Sequence, residues 1–218
     1  MRYIAAMVAA AALLWSCEST PDTTPATEAA TPAMESTMST AAVGEMAPDF
    51  TLTSAAGASH SLSDFEGKWV VLEWVNYDCP FVRKHYDSGN MQTLQKDATA
   101  NGVVWLTICS SAPGKQGHFE GDALQSRIAK EGGNQTAYLI DADGSVGRAY
   151  QATATPHMYL IDPMGKLLYA GAIDDKPSTK VADIATATNY VSAAMSAAMQ
   201  GEPVAVSSTK AYGCAVKY

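Results

Sequence analysis

The stretch VVLEWVNYDCPFVRK, residues 70–84, decides how this chain folds. Its first half is an apolar run typical of a buried strand, and its second half predicts a helix. Pro80 suits the first turn of that helix, because the N–H that proline lacks has no partner there. Cys79 therefore lies where a strand gives way to a helix N-terminus.

A cysteine in this position is a candidate nucleophile. Backbone N–H groups and the helix dipole stabilise an anion at a helix N-terminus, and the thiolate is the reactive form of cysteine. Arg83 and Lys84 follow within the next turn, and Arg83 either lowers the pKa of the thiol or is a solvated surface arginine. We interpret Cys79 as a redox residue rather than as a small buried residue that closes a strand.

Further strands and helices alternate along the chain after this junction. Residues 103–108 form a second apolar run, typical of a strand that is buried on both faces of a parallel sheet. Residues 155–171 have the pattern of a hairpin, and residues 190–199 carry apolar side chains at helical spacing before a stop at Gly201. Strands that alternate with helices, followed by a hairpin and a helix, predict an α/β sandwich. The pair Asp174-Asp175 is interpreted as a solvated loop.

The N-terminus has the build of an export signal. A charged start precedes an apolar run over residues 3–15, which is too short to be a permanent membrane span. Residues 14–17, LWSC, resemble the lipobox of bacterial lipoproteins, in which a lipid is attached to the cysteine. This resemblance implies a signal peptide over residues 1–17 and lipidation of Cys17. The alternatives are ordinary secretory cleavage and an uncleaved anchor.

Composition divides the remaining chain into three parts. Residues 18–44 are rich in Thr, Pro, Ala and Glu and lack aromatic residues, so we expect a disordered tether. Residues 45–203 are expected to form one domain of ordinary size. Residues 204–218 follow as a C-terminal tail that contains a Gly-Cys pair.

Charge and cysteine usage restrict the functional class. The chain has 14 basic and 22 acidic residues without a basic cluster, so we predict no nucleic-acid partner. Once Cys17 is set aside, three of the four cysteines remain, and an odd number leaves one thiol unpaired within a monomer. The histidines lack metal-ligand spacing. We therefore predict no metal site and no organic cofactor.

Several short motifs occur along the domain in a specific order. They are APDF (47–50), SLSDF (61–65), GK (67–68), CP (79–80), TP (155–156), YLID (159–162) and GK (165–166). This order resembles the redoxins, the thioredoxin-like proteins grouped with alkyl hydroperoxide reductase and thiol-specific antioxidant. The ending over residues 208–218 resembles a peroxiredoxin-like subgroup that ends in Gly-Cys. The resemblance implies an α/β, thioredoxin-like fold with a central mixed sheet flanked by helices. It also implies a reactive Cys79 and a cis Pro156, preceded by Thr155, that faces it.

Two departures from the redoxin patterns leave the substrate open. Thioredoxins have Cys-x-x-Cys, whereas Val82 occupies the second position here. Peroxiredoxins have Pro-x-x-x-Thr-x-x-Cys, whereas Leu72 and Asn76 stand at the Pro and Thr positions. The amide of Asn76 is a candidate donor in place of the missing hydroxyl. Disulfides and peroxides both remain candidate substrates.

A single reactive thiol needs a second thiol that resolves its mixed disulfide. Cys109 follows the strand next to that of Cys79, so both are expected at one edge of a parallel sheet. Cys214 lies on a tail that we expect to be flexible, which would let it approach Cys79 without straining the core. We favour Cys214 as the resolving cysteine and keep Cys109 as the second candidate. The alternative for Cys109 is a small apolar residue at a strand end.

Together these features predict an extracytoplasmic, lipid-anchored thiol oxidoreductase, on the periplasmic face of a bacterial membrane. Its partners would be protein or small-molecule disulfides or peroxides, an unidentified thiol reductant, and the membrane through the N-terminal lipid. Two other hypotheses remain. One is a copper-delivery lipoprotein on the same fold with thiol and thioether ligands for Cu(I), and the other is a degenerate redoxin that serves as a scaffold.

Overall fold

The computed structural model describes residues 39–218. The predicted signal peptide, Cys17 and most of the predicted tether lie outside this range. Among the described residues, no helix has both the length and the apolar character needed to cross a membrane.

The described chain alternates strands and helices. In order they are β1 (Thr51–Ser54), β2 (Ser59–Ser61), β3 (Val70–Trp74), α1 (Pro80–Asp87), α2 (Asn90–Ala100), β4 (Val104–Cys109), α3 (Gly121–Glu131), β5 (Ala137–Ile140), α4 (Ser145–Ala149), β6 (Ala154–Thr155), β7 (His157–Ile161), β8 (Leu167–Gly171), α5 (Tyr190–Met199) and β9 (Cys214–Ala215). Short 3-10 helices cover Leu62–Phe65 and Val181–Thr186.

Seven strands form the central sheet, in the order β2-β1-β5-β4-β3-β7-β8. Strands β3, β4 and β5 are parallel, whereas β1, β7 and β8 run antiparallel to their neighbours. Strands β6 and β9 pair separately, in a two-stranded antiparallel sheet. The predicted fold, a thioredoxin-like α/β fold with a mixed sheet flanked by helices, is confirmed.

Successive side chains of a strand point to opposite faces, and all five residues of β3 are buried. Both faces of β3 are therefore covered. Val71 packs in one core cluster together with residues of α1, α2, α3 and α5. Val70, Leu72 and Trp74 pack in the other cluster, with residues of α4 and of the chain before β1. The central position of β3 fixes where Cys79 emerges, at the carboxyl edge of the parallel strands.

The folded part begins a few residues before the predicted boundary at residue 45. The N–H of Ala41 donates to the carbonyl of Ala149 at 2.8 Å, and the N–H of Gly44 donates to Leu167 at 2.8 Å. Ala41 is also buried. These backbone hydrogen bonds assign residues 41–44 to the domain, although their composition resembles that of the tether.

Residues 207–218, which we call the strap, correct the prediction of a flexible tail. The backbone of Ala170 in β8 bonds Ser207 and Thr209, at 3.1 and 3.2 Å. Further along, β9 pairs with β6. The strap is held because strands of the domain satisfy its backbone groups, which its composition does not reveal.

Candidate redox-active site

The structure places Cys79 as the sequence predicts. Strand β3 ends at Trp74, and a tight turn follows in which the N–H of Cys79 donates to the carbonyl of Asn76 at 2.9 Å. Cys79 is the N-cap of α1, with extended φ and ψ angles of −76° and 126°, and Pro80 is the first helical residue. The side chain of Cys79 is 0 % exposed.

The Thr155–Pro156 peptide bond lies against this cysteine and is cis, as predicted. The Cys79 thiol donates to the carbonyl oxygen of Thr155, 3.2 Å from Sγ. Strand β6 therefore presents the backbone of Thr155 to the nucleophile.

The pairing of β6 with β9 brings Cys214 to the same point. Thr155 is the register partner of Cys214, and the N–H of Cys214 lies 3.4 Å from the Cys79 sulfur, to which it donates. Both cysteines are free thiols, Cys79 buried and Cys214 partly exposed. Of the two candidate resolving cysteines, Cys214 is the one whose backbone bonds the Cys79 sulfur.

The geometry of the strap explains why glycine precedes Cys214. Gly213 adopts a φ of 136°, which residues with a side chain rarely adopt. A Cβ built on Gly213 would lie 1.9 Å from the carbonyl oxygen of Thr155, a backbone atom that cannot move aside. Only glycine lets the strap approach β6 closely enough to place Cys214.

The two thiols perturb each other in opposite directions. Burial by itself would raise the pKa of Cys79, because it disfavours the charged form, but several groups that stabilise the thiolate outweigh burial and lower it. They are the Cys214 thiol, the backbone N–H groups of Val82 and Cys214, and the Thr155 hydroxyl. Burial and the bond to Cys79 raise the pKa of Cys214 to about 12. The pair therefore favours a thiolate at Cys79 and a thiol at Cys214.

Cys109 ends β4 at the same edge of the sheet, as expected from the parallel pairing. Its side chain is buried, and its thiol donates to the carbonyl of Gly117 at 3.5 Å. The thiol is thus bonded to the loop after β4 and not to Cys79.

Two supporting residues have other partners than the thiol. Arg83 is partly exposed and forms ion pairs with Asp87 and with the buried Glu131. The groups that lower the pKa of Cys79 are those named above, and Arg83 is not one of them. The amide of Asn76 donates to the carbonyl of Gln116 at 3.2 Å, which commits one of its N–H groups to the loop after β4.

The sequence missed a buried charged cluster beside the site. Lys84 is 1 % exposed, and its Nζ lies 3.1 Å from Asp174, which is 3 % exposed. Tyr212 of the strap donates its hydroxyl to the other oxygen of Asp174 at 2.5 Å. The interpretation of Asp174 as a solvated loop residue is therefore wrong. Local sequence held no signal for this cluster, because its members come from α1, the segment after β8 and the strap.

A buried cysteine at a helix N-terminus, opposite a cis proline on a mixed sheet, defines a thioredoxin-like redoxin. The family model of AhpC/TSA matches residues 43–170, more than half of the chain, and the chain belongs to the AhpC/TSA family.

The chain is also similar to a curated relative and to solved structures of the same fold. The chain is 30 % identical over 127 residues to the thiol-disulfide oxidoreductase ResA of Geobacillus kaustophilus (strain HTA426). The matched segment covers 58 % of this chain and 67 % of that protein. The crystal structure of a hypothetical protein from Sinorhizobium meliloti 1021 has a TM-score of 0.66 at 25 % identity, and covers 83 % of this chain and 97 % of that one. An uncharacterized conserved protein from Geobacillus kaustophilus has a TM-score of 0.68 at 26 % identity, with coverages of 81 % and 92 %.

Proposed function

We propose that this protein is a thiol-disulfide oxidoreductase in which Cys79 is the nucleophile and Cys214 the resolving cysteine. The observation that carries the proposal is the bond from the Cys214 N–H to the Cys79 sulfur, formed because β9 pairs with β6. The name of the similar ResA protein supports disulfides as the substrate class. Thr155 and Pro156 form the wall opposite the nucleophile.

The reaction proceeds by two thiol-disulfide exchanges. The Cys79 thiolate attacks one sulfur of the substrate, the S–S bond breaks, and the other sulfur leaves as a thiolate that takes up a proton. Cys214 then loses its proton and attacks the Cys79 sulfur, which releases the second substrate thiol. The two cysteines lose two electrons as they form a disulfide, and the substrate gains them. Of the two protons that the substrate thiols take up, Cys214 releases one and the other comes from solvent, because Cys79 is already a thiolate when it attacks. A thiol reductant outside this chain returns the pair to its starting state.

The opposite pKa shifts give the two steps an order. Cys214 holds its proton partly because the Cys79 thiolate accepts a hydrogen bond from it and repels a second negative charge. Once Cys79 is part of a mixed disulfide, it carries no charge, and this part of the effect on Cys214 disappears. The pKa of Cys214 then falls, so the resolving thiolate forms only after the first exchange.

Single cysteine variants of the full chain test this assignment with a model disulfide and a thiol reductant. Cys79→Ser should abolish turnover, whereas Cys214→Ser should accumulate the mixed disulfide on Cys79. Cys109→Ser is the matched control and should turn over at the rate of the unmodified protein. Peptide mass mapping after mild oxidation should recover a Cys79–Cys214 bridge. A Cys79–Cys109 bridge, or undiminished turnover in Cys79→Ser, would refute the assignment.

The same assay distinguishes the other hypotheses. Turnover of hydrogen peroxide but not of disulfides would identify a peroxidase, in which Cys79 becomes a sulfenic acid and Cys214 displaces water from it. Tight binding of Cu(I) by the reduced protein without turnover would instead support copper delivery. Within residues 39–218, no group of three or more His, Cys, Asp or Glu side chains is arranged to hold a metal ion.

We propose further that the protein is anchored to the outer face of a cell membrane by a lipid on Cys17. The support is the pattern of an export signal at the N-terminus and the LWSC pattern at residues 14–17. Mass analysis of the mature N-terminus should find an acylated Cys17 in the membrane fraction, and Cys17→Ala should release the protein from it. An unmodified N-terminus in the soluble fraction would contradict the anchor.

A further inference from the structure

We propose that Tyr212 is a positioning residue that holds the strap closed over Cys79 through the buried Lys84–Asp174 ion pair. The inference rests on the proposed function of the two cysteines. It adds that access to the nucleophile is controlled by one side chain of the strap.

The first step of the argument is that the strap covers the nucleophile. Cys79 is 0 % exposed, and its sulfur contacts Thr155 on one strand and Cys214 on the other strand of the β6–β9 pair. A substrate sulfur must reach the Cys79 sulfur directly, so β9 has to move before the first exchange occurs. The strap therefore opens and closes during turnover.

The second step is that the strap is anchored close to Cys214. The Tyr212 hydroxyl donates to Asp174 at 2.5 Å, and Asp174 is held in turn by Lys84 at 3.1 Å. Lys84 lies in α1, the helix that begins next to Cys79, and its Nζ also lies 5.6 Å from the centre of the Tyr212 ring. Phe81, one turn earlier in α1, contacts the same ring edge-on, with ring centres 5.9 Å apart. The anchor thus connects the strap to the helix of the nucleophile, two residues before Cys214.

The third step is that the backbone hydrogen bonds of the strap to β8 and to β6 lie on either side of residues 210–213. A groove of about 720 Å³ runs beside residues 209–213, and Asp174 and Tyr190 are among the residues that line it. Between those backbone bonds, the Tyr212 hydroxyl bonds Asp174 and the Tyr212 ring packs on Phe81, so this side chain connects residues 210–213 to the domain.

The experiment measures how fast iodoacetamide alkylates Cys79 in the reduced full chain. All variants carry Cys214→Ser, so that alkylation of Cys214 cannot itself displace the strap, and peptide mass mapping reports each cysteine separately. Cys109 is the internal reference, because it is buried and its thiol bonds the carbonyl of Gly117 rather than a group of β9, so its alkylation reports opening of the domain.

Tyr212→Phe should raise the alkylation rate of Cys79 about tenfold and leave that of Cys109 unchanged. Tenfold corresponds to about 1.4 kcal/mol, close to the contribution of a hydrogen bond to a charged group. Tyr190→Phe is the matched control, since Tyr190 lines the same groove without bonding Asp174, and it should leave both rates unchanged. Gly213→Ala gives the alkylation rate of Cys79 with the strap displaced, because the added Cβ would collide with Thr155. The rate in Tyr212→Phe should lie between that of the parent protein and that of Gly213→Ala.

Three results would overturn the proposal. An unchanged Cys79 rate in Tyr212→Phe would show that the strap is held by other contacts, and equal increases at Cys79 and Cys109 would show a general loss of stability. An unchanged rate in Gly213→Ala would show that the strap does not cover Cys79. The alkylation readout is independent of turnover, which is measured separately on the chain that keeps Cys214. Faster alkylation in Tyr212→Phe together with an inactive Cys214-containing protein refutes only the proposed function, and normal turnover with unchanged alkylation refutes only the role of Tyr212.

Discussion

At the scale of single residues, the site depends on which groups face one sulfur atom. Arg83 lies one helical turn after Cys79, yet its guanidinium is bound by Asp87 and Glu131. The groups that favour the thiolate are instead hydrogen-bond donors on α1, β6 and the strap, with Cys214 the first among them. A neutral donor aimed at the sulfur is more effective here than a cation that is already paired, because the paired cation has an anion beside it.

This arrangement predicts the pH dependence of Cys79 reactivity. The alkylation rate follows the thiolate fraction, so it should rise with pH and level off at a pH below the reference cysteine pKa of about 8.5. The profile is measured by iodoacetamide labelling and mass mapping of the peptide that contains Cys79. In Cys214→Ala, which removes the thiol donor, the inflection should move to higher pH. An inflection at or above the reference value in the unmodified protein would argue against an activated thiolate.

At the scale of elements, β3 carries an acidic side chain into the core. Glu73 is 0 % exposed, and four side chains donate to its carboxyl group. They are those of Tyr86, Gln95, Trp105 and Thr107. Burial is the largest effect and raises the pKa of Glu73 above its usual 4.5, although the four donors act in the opposite direction. The strand thus joins α1, α2 and β4 through one carboxyl group.

The raised pKa predicts how stability changes with pH. The folded protein binds a proton at Glu73 more tightly than the unfolded chain, so the associated stability is present at low pH and is lost as pH rises through the folded-state pKa. Glu73→Gln should lower the free energy of unfolding by about 1–3 kcal/mol at low pH, because the NH2 group of the glutamine faces side chains that are themselves donors. The difference in the free energy of unfolding between Glu73→Gln and the unmodified protein should become smaller as pH rises. Urea unfolding across a pH series measures this difference.

The control for this series is Glu66→Gln, since Glu66 is an exposed glutamate near the start of β3. It should show the same pH dependence as the unmodified protein. A constant difference between Glu73→Gln and the unmodified protein at every pH would contradict a raised pKa at Glu73.

At the scale of the whole molecule, the Lys84–Asp174 pair joins parts that are distant in sequence. The two residues are 90 positions apart, and Tyr212, bonded to Asp174, is 38 positions further along the chain. Both charged side chains are almost fully buried. A buried pair costs desolvation free energy, but removal of one partner leaves the other charge uncompensated, which costs more.

Lys84→Met should therefore lower the free energy of unfolding by about 3–5 kcal/mol. The double variant Lys84→Met/Asp174→Leu should recover part of this loss, since it removes both charges together. Lys96→Met, at an exposed lysine of α2, is the control and should change stability by less than about 0.5 kcal/mol. Urea unfolding measures all three. A loss below about 1 kcal/mol in Lys84→Met would show that Asp174 does not depend on its partner.

The strand, the cysteine and the helix at the centre of the site could be predicted from the residues of one short segment. Pro80 starts α1 where predicted, the apolar run before it forms β3, and the predicted parallel strand and hairpin form as well. These features were predictable because apolar periodicity, proline at a helix start and glycine at a helix end act over a few neighbouring residues. The cis bond at Pro156 was expected from the resemblance to redoxins and not from the residues alone.

The groups that meet at the Cys79 sulfur come together through tertiary contacts. Cys214 is 135 positions from Cys79, and it arrives there through the pairing of β9 with β6 and the approach that Gly213 permits. The burial of Lys84 and the ion pairs of Arg83 likewise depend on partners from other elements. No local pattern encodes such contacts, because a polar side chain has the same local preferences whether it ends in water or against a distant partner. The partner is chosen by the packing of the whole domain.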